Sequence, residues 1–350
     1  MLLYIHIPFC DSKCHYCSFN SYVDKFDRKG TYMESLVRQL HHDLQTYEIS
    51  KHSIETLFIG GGTPSTIDPA LFEPLFEMVD PFLQNGAEIT SEANPNSASR
   101  RWLSGMHDLG VNRISFGVQS FFDDKLRLLG RAHKAKEAMA AVERAAALGF
   151  DNISIDIIYA TMLDTPDRIE KELGTAFELP ISHLSAYELT IEEGTPFQQR
   201  PEVRKESVEA SRLIREYCEQ AGFNQYEISN YGKPCRHNLG YWQYKPYLGV
   251  GSGAAGRIGH KRYYPHTTIE HYIDAPFHKD FEPLQASDMV EERLLLGLRS
   301  DVGVDRNILE SPMQERADLL TEEGKLLLSG SRYCNPDFLL SDEIALFILG

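Results

Sequence analysis

Three cysteines, Cys10, Cys14 and Cys17, stand in the run YIHIPFCDSKCHYCSF. Thiolates spaced CxxxCxxC can hold three corners of a cubane iron–sulfur cluster, and two residues after the third stands Phe19, not a fourth cysteine. One iron is then open for chemistry on a bound molecule, whereas four thiolates would close the cluster for electron storage or structure. The same residues also allow a structural zinc site completed by His6 or His15. Cys218, Cys235 and Cys334 are scattered singles, the first two reading as packing thiols. Six cysteines in 350 residues are too few and too clustered for a disulfide scaffold, and in a reducing compartment a group of three reads as metal binding.

The frame that carries these thiols is legible in the same way. Short β-rich runs at 2–9, 55–61, 87–93, 111–119, 151–159 and 181–189 alternate with stretches of helical spacing: YMESLVRQLHHDLQTY, PALFEPLFEMVDPFL, SRRWLSGMHDLG and AKEAMAAVERAAALG. Gly149 and Gly222 stand where two of the helices should stop. Six strand–helix units in series predict an α/β fold with a parallel sheet, as a partial (β/α)6 TIM-like barrel. In such barrels chemistry sits at the carboxyl ends of the strands. The cysteine loop follows the first strand, GGGTPS (60–65) the second, Glu92 ends the third, Gln119 ends the fourth and Asp156 lies late in the fifth.

Gly60, Gly61 and Gly62 permit close backbone approach to the polar end of a ligand, or simply make a tight turn. Glu92 and Asp156 can accept hydrogen bonds from hydroxyls or an amine, and Arg131, in LGRAH, can grip a carboxylate as a fork. Each alone could equally be an ion pair in the barrel mouth. Their common placement at strand ends favours a site.

Residues 1–225 are read as the barrel and 226–280 as a connecting region rich in Tyr, Gly and His that contains HNLGYW. Residues 281–350 are read as a small, mainly helical winged-helix-like domain, as in SDMVEERLLLGLRS and MQERADLLTEEGKLLL. No apolar run approaches the roughly 20 residues of a membrane helix, and the stretch before Cys10 lacks the form of a signal peptide, so a cytoplasmic protein is expected. A net charge of −16 argues against a nucleic-acid surface and for small molecules or proteins as partners.

CxxxCxxC with an aromatic residue, Tyr16, before the last cysteine resembles the radical S-adenosylmethionine (SAM) superfamily. The resemblance implies a 4Fe-4S cluster on Cys10, Cys14 and Cys17 whose open iron chelates the amine and carboxylate of SAM. YIHIPFC, FIGGGTPS, EANP (92–95), ISFGVQSF and LGRAH look like segments of the oxygen-independent coproporphyrinogen III oxidase-like family within it. By position, that family's SAM contacts fall on Tyr4, Tyr16, Gly61, Gly62, Thr63, Glu92, Gln119, Arg131 and Asp156. In the oxidase branch several of these serve a second SAM.

Three departures separate this chain from the oxidase branch. Phe19 stands where the oxidase carries a further cysteine, the chain starts nine residues before Cys10, and HNLGYW (237–242) fits the HNxxYW signature of the HemW-type heme chaperones. Asp156 is followed by IIYATMLDT, where the family usually has a GLP segment. The resemblance implies a protein that binds heme and delivers it to acceptor, respiratory and membrane-associated proteins, with the cluster and SAM needed for transfer, and that forms a homodimer. Imidazole being a common heme ligand, His237 is the candidate ligand; its alternative is a structural role in an interface. The competing functions are oxidative decarboxylation of two coproporphyrinogen III propionates, or radical SAM chemistry on another substrate.

Overall fold

The computed structural model describes residues 1–206 and 208–350. Six strands, β1 (Leu2–Ile7), β2 (Ile54–Gly61), β3 (Leu83–Ala93), β4 (Arg113–Gln119), β5 (Ile153–Tyr159) and β6 (His183–Glu188), lie side by side in chain order and parallel. Between them run α1 (Lys29–Thr46), α2 (Glu73–Val79), α3 (Arg100–Asp108), α4 (Asp123–Leu129), α5 (Ala135–Ala147) and α6 (Pro166–Glu178), followed by α7 (Val208–Gln220). The partial barrel predicted from the alternating pattern is the observed one.

Strand alternation sets its two faces. Leu3, Ile5 and Ile7, Leu57 and Ile59, Ile114 and Phe116, and Ile153 and Ile155 pack outward with the helices in one core. Each such side chain, fully buried, contributes about 2 kcal/mol. The intervening residues face the lumen, and the register sets Tyr4 beside Phe58, Glu92 beside Ser115 and Asp156 beside Ser185. Helix ends follow local chemistry. Ser99 and Thr165 accept hydrogen bonds from the first turns of α3 and α6, while Gly149 and Gly222 adopt φ of +96° and +82° just past α5 and α7.

Residues 226–280, read from sequence as a connection, supply much of the rest of the sheet. β7 (Asn230–Gly232) adds antiparallel to β6, then α8 (Arg236–Trp242) leads to β8 (Tyr247–Val250), parallel to β1 on its free side. β9 (Gly256–Ile258), β10 (Lys261–Tyr264) and, after α9 (Ile269–Asp274), β11 (Asp280–Pro283) continue antiparallel, giving the order β11-β10-β9-β8-β1-β2-β3-β4-β5-β6-β7.

Beyond it α10 (Ala286–Leu298), β12 (Val304–Asp305), α11 (Ser311–Glu322), β13 (Leu327–Ser329), β14 (Arg332–Cys334) and α12 (Ser341–Leu349) form a second unit with its own core and a three-stranded antiparallel sheet. That helix–strand–helix–hairpin order is winged-helix-like. Two helical expectations are corrected. The leucines of GKLLL do not extend α11, because Gly324 at φ +73° ends it and Leu327 and Leu328 enter β13. The stretch 69–83 is broken into short turns around α2, with Pro74 and Pro81 near its ends.

Candidate functional site at the barrel mouth

The cysteine loop leaves the carboxyl end of β1 and is tied down from all sides. Cys10 N–H donates to Tyr22 O (3.0 Å), His15 N–H to Leu129 O (3.1 Å), and Asn20 Nδ2 to the carbonyls of Ser252 and Thr267 (3.0 and 2.8 Å). Cys10 and Cys14 are buried and Cys17 is half-buried. Burial pushes the Cys10 and Cys17 thiols up from their ordinary range, so a metal must displace their protons rather than find thiolates ready.

Two donors reach the sulfurs, and a third residue links them. Thr63 Oγ1 donates to Cys10 Sγ (3.4 Å), Asn94 Nδ2 to Thr63 Oγ1 (3.0 Å), Arg131 Nη2 to Asn94 Oδ1 (2.6 Å), and Arg131 Nη1 to Cys14 Sγ (3.3 Å). Two cysteines are thus joined through β2, β3 and the loop after α4. Hydrogen bonds to cluster sulfurs are a main control on cluster potential. Arg131 Nε is buried without a partner, leaving one cationic N–H for an anionic group.

The glycines fit the close-approach reading. A Cβ on Gly62 would lie 3.1 Å from Cys10 Sγ and 2.9 Å from Phe9 O, and Gly61 has φ +113° with its would-be Cβ within 2.5 Å of the His6 ring. The zinc alternative loses His6 as a fourth ligand, though His15 keeps Nε2 unbonded. His6 is bonded through Nδ1 to Tyr4 OH (3.0 Å) and through Nε2 to Asn20 O (2.8 Å), while His15 Nδ1 is held by Leu128 O (2.9 Å). Among the described residues no three His, Cys, Asp or Glu side chains converge to hold a single ion, which three corners of a cubane need not do. The donor set suits a cubane cluster with an open iron.

Around this loop stand the other predicted residues. Glu92 Oε2 accepts from Gly61 N–H (3.0 Å); burial, with Asp156 nearby, pushes its carboxyl up to about 8. Asp156 is raised by burial too, against hydrogen bonds from Ser185 and Ser115. Two neighbouring carboxyls, both raised by burial, suit hydroxyls and an amine. Tyr16 is raised mainly by burial and hydrogen-bonds Arg131. Tyr4 packs on Phe58, and Gln119 closes β4 past a bulge at φ +64°, a conformation a glutamine avoids. Of the nine expected SAM contacts, Gly61, Gly62, Thr63, Glu92 and Gln119 lie at or just past strand ends, Tyr16 and Arg131 in loops, and Tyr4 and Asp156 mid-strand.

Behind Gln119 lies a group that sequence reading missed. Lys125 Nζ donates to Asp164 Oδ1 (2.7 Å) and Glu172 Oε2 (2.8 Å), and Glu172 Oε1 accepts from Ser120 Oγ and Phe121 N–H. This buried set fixes the backbone next to Gln119. Its one sequence signal is a lysine on the leucine face of α4. Asn94, inside EANP, was likewise not singled out.

His237 lies elsewhere, at the opposite end of the barrel. There α8 enters the lumen, and Glu88 accepts from His237 N–H (3.1 Å), Arg236 N–H (3.2 Å) and Cys235 Sγ (3.5 Å). His237 Nδ1 bonds Thr56 Oγ1 (2.7 Å) and Nε2 bonds Tyr241 OH (3.0 Å). With both ring nitrogens engaged, the ring would have to break a bond to ligate iron; burial and Arg113 hold its pKa down to about 3. The structural alternative is what these contacts describe.

A partial barrel with a three-thiol loop after its first strand defines the class, and the model of the radical SAM superfamily matches residues 4–176. The heme chaperone HemW of Bacillus subtilis is 35% identical over 87% of this chain and 84% of its own length, and HemW of Escherichia coli is 36% identical over 93% and 96%. The structure of coproporphyrinogen III oxidase from Escherichia coli superposes with a TM-score of 0.82 at 21% identity, over 99% of this chain and 89% of that one, which establishes the shared fold. The chain belongs to the HemW branch of the radical SAM superfamily.

Proposed function

We propose that this protein is a cytoplasmic heme chaperone, binding heme and passing it to acceptor proteins, respiratory proteins among them. The observation that carries the reading is identity of 35–36% across nearly the full length of relatives named heme chaperones. No helix among the described residues is long and apolar enough to cross a membrane, so delivery to membrane-associated acceptors would be by docking.

Cys10, Cys14 and Cys17 would hold the 4Fe-4S cluster, which supplies low-potential electron transfer to a sulfonium when SAM is bound. The chain's own part is placement. Arg131 and Thr63 donate to the sulfurs, Gly61 and Gly62 let the backbone close on the ligand, and Glu92, Gln119, Asp156, Tyr4 and Tyr16 line its seat. A homodimer is part of the proposal, resting on the family resemblance.

Anaerobic reconstitution with iron and sulfide, followed by separate titrations with hemin and coproporphyrinogen III, tests it. The expected result is stoichiometric heme binding with a Soret band and no decarboxylation in the presence of SAM and reductant. Robust conversion of coproporphyrinogen to its divinyl product would overturn the chaperone reading in favour of the oxidase.

A further inference from the structure

A cavity of about 680 Å³ runs from Tyr4, Phe58 and Glu92 in the lumen to the seam between β8–β10 and α10. Its inner end reaches Tyr4 and Glu92, two of the residues proposed to seat SAM. Its outer end, walled by Leu295 and Leu296 of α10, has had no role so far.

Tyr244 stands at this outer end in an unusual conformation. It follows α8, with its N–H bonded to Tyr241 O (2.9 Å) and Lys245 N–H to Gly240 O (2.9 Å), the helix stop that normally takes a glycine. Its φ is +58°, where a bulky side chain is strained, and such strain collects at functional positions. Its hydroxyl donates to Glu292 Oε2, and the other oxygen of Glu292 is held by Arg262. The Arg257 guanidinium lies 3.7 Å from the Tyr244 ring centroid. Arg257 is 5% exposed, lines the cavity, donates only to the backbone carbonyls of Tyr244 and Lys245, and has no carboxylate partner among the described residues. Glu292 acts on it only at longer range, so a buried cation in no direct ion pair is open to an anion from outside.

The competing oxygens and nitrogens are committed otherwise, the Tyr187 hydroxyl to Ser185 and that of Tyr247 to Arg262. His237 has both ring nitrogens bonded, Tyr241 OH is held by His237, and Tyr4 OH by His6. Tyr244 alone of these tyrosines gives its proton to a carboxylate, a group that can take it.

Resting on the heme-chaperone reading, we propose that the outer cavity seats a ferric tetrapyrrole carboxylate with the Tyr244 oxygen as the iron ligand. On binding, the phenolic O–H breaks, its proton passes to Glu292, and the oxygen lone pair forms the bond to iron(III); no electron is transferred. Arg257 stabilises the resulting phenolate, and the tyrosine and leucine walls take the macrocycle's faces. A phenolate is a hard anionic donor, so one-electron reduction of the iron by an added reductant weakens the bond and favours release.

The test titrates hemin into reconstituted wild type, Tyr244→Phe, Tyr244→His and Tyr264→Phe, read by absorption and electron paramagnetic resonance. Tyr264 donates to Glu282 on the same sheet (2.8 Å) but does not line the cavity, so its variant controls for loss of a Tyr–Glu bond. Wild type should give a high-spin ferric spectrum with a phenolate-to-iron charge-transfer band. Tyr244→Phe should lose that band and bind at least about tenfold more weakly. Tyr244→His should bind with a shifted Soret band, which a merely structural tyrosine would not produce, and Tyr264→Phe should match wild type. If wild type takes up heme and all three variants share its spectrum and affinity, the ligand assignment is overturned while the chaperone reading stands. If wild type takes up no heme, both fall.

Discussion

The two ends of the barrel use their polar groups in opposite ways. At the amino ends of the strands a continuous chain of bonds joins Ser154, His183, Tyr226, Cys235, Glu88, His237 and Thr56, while around it Arg113 Nε, Thr90 Oγ1, Glu227 Oε1, Asn230 Oδ1 and Trp242 Nε1 are buried without a partner. At the carboxyl ends burial raises the pKa values of Cys10, Cys17, Glu92 and Asp156, Arg131 keeps a free N–H, and Gln119 and Ala160 sit at φ +64°. At the amino end the motif residues spend their bonds on one another, while the carboxyl end holds groups suited to a ligand. A histidine in a motif therefore says less about binding than the bonds already made to it.

The largest effect expected from breaking this contrast is at the carboxyl end. Cys14→Ala should abolish the cluster, with no 4Fe-4S absorption after anaerobic reconstitution, yet leave the far-ultraviolet circular dichroism of the barrel unchanged. Glu88→Ala should do the reverse. Removing the acceptor for two backbone N–H groups and a thiol costs about 3 kcal/mol of stability, measured by denaturant unfolding, with iron content after reconstitution unaltered.

Glu92 gives a pH signature. In the unfolded chain its carboxyl ionises in the ordinary range, but in the ligand-free folded protein only near pH 8. Between these values the folded state binds more protons, so its contribution to stability is complete at acidic pH and is lost as pH rises towards 8. Glu92→Gln should lose less stability than wild type between pH 5 and pH 8, compared by unfolding midpoints, and should bind SAM more weakly. The smallest effect is Ala160→Gly. Ala160 carries a Cβ in the left-handed region, so glycine should raise stability by about 0.5–1 kcal/mol after its greater unfolded-state freedom is counted.

That last position shows how much could be read in advance. The departure at IIYATMLDT is visible in the sequence, and the structure places Ala160, just past Tyr159, in a glycine-type conformation. The six barrel strands were legible because they are buried runs of six or more residues separated by helical periodicity. β7 to β11 were not, being two-sided segments of three or four residues whose pairing is set by distant neighbours. The same holds for His237, whose partners Thr56 and Glu88 lie 181 and 149 residues away. The cysteine spacing was enough to propose the cluster, but the Thr63–Asn94–Arg131 path between two of its sulfurs exists only once β2, β3 and β4 are side by side.

The anchoring of Asn20 has a consequence for how the protein is made. The segment carrying the three thiols leaves the ribosome well before its anchor, since its tie to Thr267 O spans 247 residues, and β1 gains its second neighbour only when Tyr247–Val250 has been synthesised. At ordinary translation speeds that is a delay of roughly 10–50 s. Until then the thiols stand on an unclosed loop. Durable loading with iron and sulfide would thus follow the synthesis of Thr267, and any nascent molecule stalled before it would offer oxidants three unprotected sulfurs.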